Sequence, residues 1–407
     1  MVTYSQRWAS SGAMALTGDA DGPPLVPSTT AAEMVDNALR PFGLDSGVLG
    51  ERAALLGLTR TGARSCGGAS RLLRALDGWV VITLARESDV ADLPAVFEVD
   101  PAHFQRSGVG DAAPWLEVED LVRCRPAEEV VSRSRLLGLP AGMVGEGSHP
   151  FRSERRDEGA ERSVPAPLPR VVDLSALWAG PLATSCLHRA GAEIIKIEDR
   201  RRPDGARRGN KAFFDLLNAG KLSVSLDFTD PTDLVGLKRL VLSADIVVTA
   251  ARSGALNRLG LDPEPFLAAG KDRVWVAITA HGWSDDRVGF GDDIAATAGL
   301  VAWHSDGAPR FAADAIADPL GGALAAEAAQ QAWETGGRWF IDASLGGAVT
   351  ASLPNRESSY REARAADARG AQWSLDGQLV ATPSGRMPLA DSAPLGADTE
   401  AVLAGLT

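Results

Sequence analysis

The sequence predicts an α/β protein: an open parallel sheet accompanied by a smaller α/β domain. Three observations carry that expectation. Short apolar strands alternate with amphipathic helices from residue 170 to residue 279. A charged stretch with several prolines, over 146–169, separates that region from residues 1–145. Residues 1–145 carry their own strand and helix signals. Strands and helices alternating at βαβ spacing bury a sheet between helical layers, and the strands then run parallel.

Along the second region, Arg170–Leu174 (RVVDL) reads as a short buried strand. Pro181 falls where a helix starts, and the helix Leu182–Ala190 stops at Gly191, a residue suited to a C-terminal cap. Ala192–Glu198 (AEIIKIE) and Lys221–Phe228 (KLSVSLDF) are the next strands. Thr232–Ser243 places Leu234, Leu237, Leu240 and Val241 on one face, the spacing of a helix. Ala244–Ala250 (ADIVVTA) and Arg273–Thr279 (RVWVAIT) read as buried strands. This order is Rossmann-like, with the large domain spanning 170–350 and a C-terminal segment, 351–407, returning to it. In the first region, Asp77–Ala85 (DGWVVITLA) is a strand after a turn, and Ala127–Leu137 is a helix. The stretch 146–169 has no apolar periodicity and reads as a linker. Gly12–Leu39 faintly echoes Gly299–Leu324, with Glu33 opposite Asp318, which suggests a partial duplication.

Composition narrows the function. The net charge of −12 disfavours nonspecific binding to nucleic acid or to an anionic membrane. No apolar run approaches the length of a membrane span, and Met1–Thr17 has neither the basic start nor the apolar run of a secretion signal. Cys66, Cys124 and Cys186 are far apart and read as buried thiols in a reducing cytoplasm. The five histidines lack the spacing of a metal site or a hydrolase triad, so no metal is expected. Neither a GxGxxG fingerprint nor a P-loop is present.

Three segments could carry chemistry. The first strand leads into Ala179-Gly180-Pro181, a turn that brings backbone N–H groups to a helix start; it is equally an ordinary βα turn. The second strand is followed by Arg200-Arg201-Arg202-Pro203-Asp204-Gly205-Ala206-Arg207-Arg208, either a solvated basic loop or an anion clamp. Asp318, before Pro319, has the pattern of a helix N-cap, and Asp292, Asp293 and Asp314 share that ambiguity.

Taken together these segments resemble the class III CoA-transferases, the CaiB/BaiF superfamily of formyl-CoA transferase, carnitine CoA-transferase and α-methylacyl-CoA racemase. The resemblance runs through Val172–Pro181 (VDLSALWAGP), Ala190–Glu198 (AGAEIIKIE), Asn218–Asp227 (NAGKLSVSLD), Asp245–Gly260, Gly307–Gly322, Gly337–Leu345 (GRWFIDASL) and Pro394–Leu406. Ala75–Ala85 and Leu136–Val144 (LLGLPAGMV) resemble pieces of that family's small domain, placed before the catalytic block instead of after it. The chain therefore looks permuted or assembled from two partial copies, and no glycine-rich loop over the active site is found.

The resemblance implies the family III fold and coenzyme A as co-substrate, with no permanently bound cofactor. Asp318 stands at the catalytic aspartate, ionised at neutral pH and needing no base. Trp178 and Ala179 match the turn that contacts CoA, and Arg200 stands beside the usual place of a CoA-binding arginine. Lys221 matches the Gly-Lys position. Ala250, Ala251 and Arg252 match the loop after the fourth strand, and Arg258 matches a phosphate-binding arginine. Phe290, Gly291, Asp292 and Asp293 match another CoA-lining loop. The implied reaction moves CoA between an acyl-CoA and a carboxylic acid through an aspartyl anhydride and thioester, in an interlocked homodimer. A racemase-type isomerase is one alternative, although Asp292 replaces its histidine; a noncatalytic CoA-binding relative is another.

Overall fold

The computed structural model describes residues 3–157, 162–353, 362–365 and 372–406. Its first segment is helical: α1 (Tyr4–Ser10), α2 (Ala31–Leu39) and α3 (Glu51–Leu56). Next comes a small unit. Its antiparallel sheet joins β1 (Ser70–Arg74), β2 (Trp79–Thr83) and β3 (Ala141–Met143). Helices α4 (Glu87–Ala91), α5 (Leu93–Phe97), α6 (Trp115–Arg123) and α7 (Ala127–Leu136) lie between β2 and β3. Val80, Ile82, Leu93, Phe97, Trp115 and Val118 are part of its own core.

The large sheet begins with β4 (Arg152–Arg155), then takes β5 (Arg170–Leu174), β6 (Glu193–Asp199), β7 (Leu222–Leu226), β8 (Ile246–Thr249) and β9 (Arg273–Thr279). Helices α8 (Ala179–Arg189), α9 (Lys211–Asn218), α10 (Pro231–Ser243), α11 (Ser253–Leu259) and α12 (Pro263–Ala268) connect these strands. After β9 come α13 (Gly291–Ala298), a hairpin of β10 (Val301–Trp303) and β11 (Pro309–Phe311), and the long helix α14 (Ala317–Thr335). Finally β12 (Arg338–Ser344) enters the sheet and α15 (Leu345–Ala351) leaves it. The seven strands lie in the order β4-β12-β9-β8-β5-β6-β7, all parallel except β4. One face packs on α8, α14 and the N-terminal segment, the other on α10 and α12.

Two expectations need correction. The stretch 146–169 is more than a linker: β4 pairs with β12 along the sheet edge, while 158–161 lies outside the described residues. Backbone hydrogen bonds hold an edge strand, so its side chains can all be polar and leave no periodicity to read. Residues 3–56 do not join the small sheet. They add to the large domain's core, where Val35 and Leu39 of α2 share a cluster with Leu320 and Ala323 of α14.

The two echoing segments meet. Leu25 N–H donates to Thr17 O to close one turn (3.0 Å), as β10 and β11 close the other. Gly62 links them, donating to Gly18 O (2.9 Å) and accepting from Phe311 (3.0 Å). Arg310 pairs with Asp19 across the same junction (2.6 Å).

The C-terminal segment pins both parts. Ala363 N–H donates to Pro24 O, and Arg386 pairs with Glu51. The β7 edge is covered as well: Ser223 N–H donates to Asp398, Asp398 N–H to Ser223 O, and Ser225 N–H to Thr399. Cys186 is buried and Cys66 half-buried, but Cys124 is exposed, against the expectation of three buried thiols. Among the described residues, no helix is long and apolar enough to cross a membrane.

Candidate active site

The loops after β5, β6, β8 and β9 all leave the carboxyl edge of the parallel strands, where open α/β sheets bind ligands. Under the first of them lies a buried ionic cluster. Asp173 sits inside β5 and needs a counter-charge. Lys221 supplies it at 3.0 Å, and its ammonium also reaches Thr184 Oγ1 (2.8 Å), Asn218 Oδ1 (3.1 Å) and Pro181 O (3.1 Å). Burial pushes Lys221 down to about 8, with Asp173 opposing. Asp173 is held well below the usual carboxylate range: burial works against its charge, and Lys221 and Lys196 outweigh burial.

Lys196 pairs with Asp204 (3.0 Å) and donates to Ser175 O (2.9 Å), while Leu177 N–H donates to Asp204 (3.0 Å). These bonds hold Leu177 at φ 67°, a left-handed backbone that an L side chain rarely adopts. The turn thereby presents Trp178 and Ala179. Trp178 stacks edge-on against Phe213 (5.2 Å between ring centroids). Helix α8 begins at Ala179, two residues before Pro181, because first-turn N–H groups lack helical partners and proline costs nothing there.

Asp318 lies on α14, one helical turn before the point where that helix meets Ala179 of this turn. It is the second residue of α14 and caps nothing: Ile316 takes the cap position. The backbone of Gly291, at the start of α13, lies close to the Asp318 carboxylate and favours the charged form. A methyl group on Gly291 would lie 2.4 Å from Asp318 Oδ2. One helical turn further, α14 crosses α8 so closely that a methyl on Gly322 would lie 2.5 Å from Ala179 O.

Two more acids, Asp292 and Asp314, lie close to Asp318, and a third, Asp293, stands beside Asp292. Asp292 accepts the Ala315 N–H (2.9 Å). Asp314, fully buried, takes a bidentate pair from Arg52, with Nε to Oδ2 at 2.8 Å and Nη2 to Oδ1 at 2.5 Å. Asp293 accepts from Thr83 of the small unit (2.9 Å) and from Phe290 N–H (3.0 Å), so it both caps α13 and ties the two units together. Burial pushes Asp318 up to about 7; Arg52 opposes this, and Asp292 and Asp314 add to it. Burial and Asp314 push Asp292 up to about 6. Burial pushes Asp293 up to about 7, against the Thr83 hydroxyl. Asp318 therefore holds its proton to higher pH than its residue type suggests.

Of the residues singled out from sequence, Gly291 and Asp292 lie close to Asp318, with Phe290 and Asp293 beside them; Ala179 meets α14 one turn further along at Gly322, and Trp178 lies under the Arg52 guanidinium. The others lie apart. Arg200 is exposed and pairs with Asp233 (2.9 Å). Lys221 is committed to its buried cluster. Ala250, Ala251 and Arg252 follow β8; Arg252 Nη1 reaches Asp286 O (3.4 Å), and Arg258 is exposed on α11. Arg52 and the half-buried Cys66, from before β1, had no signal in the sequence. Among the described residues, no His, Cys, Asp or Glu group could hold a metal.

CoA-transferase family III matches residues 169–376, just over half of the chain, and the chain belongs to that family. It is 27% identical over 213 residues to succinate–glutarate CoA-transferase of Agrobacterium fabrum, covering 47% of this chain and 53% of the relative. It is 29% identical over 169 residues to succinyl-CoA–D-citramalate CoA-transferase of Chloroflexus aurantiacus, covering 39% and 42%. The structure of a CaiB/BaiF family protein from Brucella suis aligns at 27% identity with a TM-score of 0.45, over 50% of this chain and 61% of that one. The chain spans about half the length of the curated relatives it matches.

Proposed function

We propose that the protein is an acyl-CoA:carboxylate CoA-transferase with Asp318 as its nucleophile. The observation that supports this best is the placement of the Asp318 carboxylate, buried against Gly291 on α14 one helical turn before that helix meets Ala179, within the family-matched region.

In the proposed reaction the ionised carboxylate attacks the thioester carbonyl of the donor. The C–S bond breaks and CoA leaves as thiolate, giving an acyl–aspartyl anhydride. The thiolate attacks the aspartyl carbonyl, releasing the donor acid and forming an aspartyl-CoA thioester. An acceptor carboxylate then attacks that carbonyl and expels the thiolate once more. The thiolate finally takes the acceptor's acyl group, and Asp318 is restored. The Ala179 and Gly180 N–H groups in the first turn of α8 are the backbone donors this reading assigns to the tetrahedral oxyanions. Arg200, Arg252 and Arg258, exposed at the carboxyl edge, supply cations for the phosphates of CoA. Lys221 stays out of ligand contact and holds the turn in shape. The family resemblance supports a homodimer, measurable by light scattering, and three unpaired thiols support a cytoplasmic setting.

The test is incubation with acyl-CoAs and hydroxylamine. A hydroxamate on the Asp318 peptide, and exchange abolished in Asp318→Ala, are expected. Neither adduct nor exchange across a broad panel overturns the proposal. Solvent deuterium at the α-carbon without exchange indicates the racemase-type reaction, for which Asp292 beside Asp318 offers a second acid. CoA binding unchanged by Asp318→Ala, with no turnover, indicates a noncatalytic relative.

A further inference from the structure

Arg52 reaches the Asp318 neighbourhood from α3, outside the family-matched residues 169–376. Its guanidinium grips Asp314 and lies over the Trp178 ring, 5.2 Å from the centroid. It therefore joins the turn before α8 to the loop before α14. That second loop needs a fastening. Ala313 (φ 59°) and Ala315 (φ 44°) both hold left-handed backbone, which favours glycine. Its fastenings include Ala313 N–H to Thr17 Oγ1 (3.0 Å), Cys66 Sγ to Ala313 O (3.5 Å), Ala315 N–H to Asp292 (2.9 Å) and the Arg52–Asp314 pair.

We propose that Arg52 is a positioning residue for Asp318: through Asp314 it fixes the strained loop that starts α14, and it balances the carboxylates packed there. This rests on the reading of Asp318 as nucleophile. The groups that face Asp318 are Arg52 from α3, Asp292 from α13 and Asp314 from the preceding loop, with Asp293 and Cys66 just behind. One cation thus serves three close carboxylates. Removing it leaves those carboxylates to repel one another, and Asp318 must hold its proton to higher pH.

The test reads Asp318 itself. In protein labelled with carboxyl-¹³C aspartate, its resonance is the one lost in Asp318→Asn. Arg52→Gln should raise the Asp318 midpoint by about one pH unit or more. Asp314→Asn, which removes a neighbouring negative charge and frees Arg52, should lower it. Arg52→Lys keeps the charge but loses the bidentate fork, so it should raise the midpoint by less than Arg52→Gln does. The acid limb of CoA exchange should move with these midpoints. Midpoints unchanged in both Arg52→Gln and Asp314→Asn overturn the proposal, as does exchange falling equally at every pH. If Arg52→Gln does not fold, Asp314→Asn and Arg52→Lys decide between the same outcomes. Should the parent form no adduct at Asp318, the transferase reading falls, while the titration still decides whether Arg52 governs this carboxylate.

Discussion

Gly291→Ala tests the site with a single methyl group. Gly291 is the first residue of α13 and its φ is not left-handed, so alanine meets no backbone obstacle there. Space is the obstacle. The new Cβ would lie 2.4 Å from Asp318 Oδ2 and 2.4 Å from Ala315 O. Ordinary contacts begin near 3.4 Å, so about 1 Å of movement is required. The Asp318 carboxyl can swing, but the Ala315 carbonyl is backbone in a strained loop. Either response displaces the nucleophile. Misplacing a reacting group by about 1 Å costs roughly 100-fold in rate, or about 2.7 kcal/mol of activation free energy. Overpacking costs about 1–3 kcal/mol of stability, and the better helix propensity of alanine returns up to about 1 kcal/mol. The variant should therefore fold, lose only a few degrees of Tm, and exchange CoA about 100-fold more slowly. Exchange between labelled CoA and an acyl-CoA, read beside a thermal melt, measures both. A rate within about threefold of the parent would refute the placement of Asp318 against Gly291.

Stability should depend on pH with a definite sign. Asp292, Asp293 and Asp318 hold protons up to about 6, 7 and 7 when folded, far above the ordinary 3.8. The folded state then binds more protons than the unfolded chain, and stability falls as pH rises through 7. His281, which burial holds down to about 4, offsets part of this below its ordinary 6.5, and Lys221, held down to about 8, acts oppositely as pH approaches 8, so the fall should be clearest from about pH 5 to 7. A Tm that rises over that interval contradicts this, and Asp318→Asn should flatten the fall. Lys221→Met strands the buried Asp173 and should cost about 3–5 kcal/mol by denaturant unfolding; a loss under about 1 kcal/mol would mean the cluster contributes little. Arg200→Ala removes one exposed ion pair, so Tm should hardly move, while KM for CoA should rise and kcat stay constant. An unchanged KM removes Arg200 from the phosphate contacts.

What the sequence made legible follows from what carries a pattern. Arg273–Thr279 has the bounds expected of it, since a buried parallel strand is a continuous apolar run. Helix α10 starts at Pro231, one residue before its expected start, behind the Asp230 cap. Asp318, Gly291 and the Trp178 turn were legible through the order of motifs. Arg52 was not, because an arginine at a helix start looks the same whether it faces water or a buried carboxylate. Nor were the left-handed Ala313 and Ala315: alanine ordinarily signals relaxed backbone, and tertiary bonds impose the strain. The edge strand β4 escaped because its side chains do nothing to hold it in place.

Both rims of the large sheet are closed by chain from outside residues 170–350: Arg152–Arg155 lies along β12, and Asp398–Thr399 crosses β7. A fragment trimmed to that block would leave a row of unmet amides and carbonyls on each side. Such rows recruit strands from other molecules. The outlying segments thus serve as sealing strips, and solubility as well as catalysis should depend on keeping them attached.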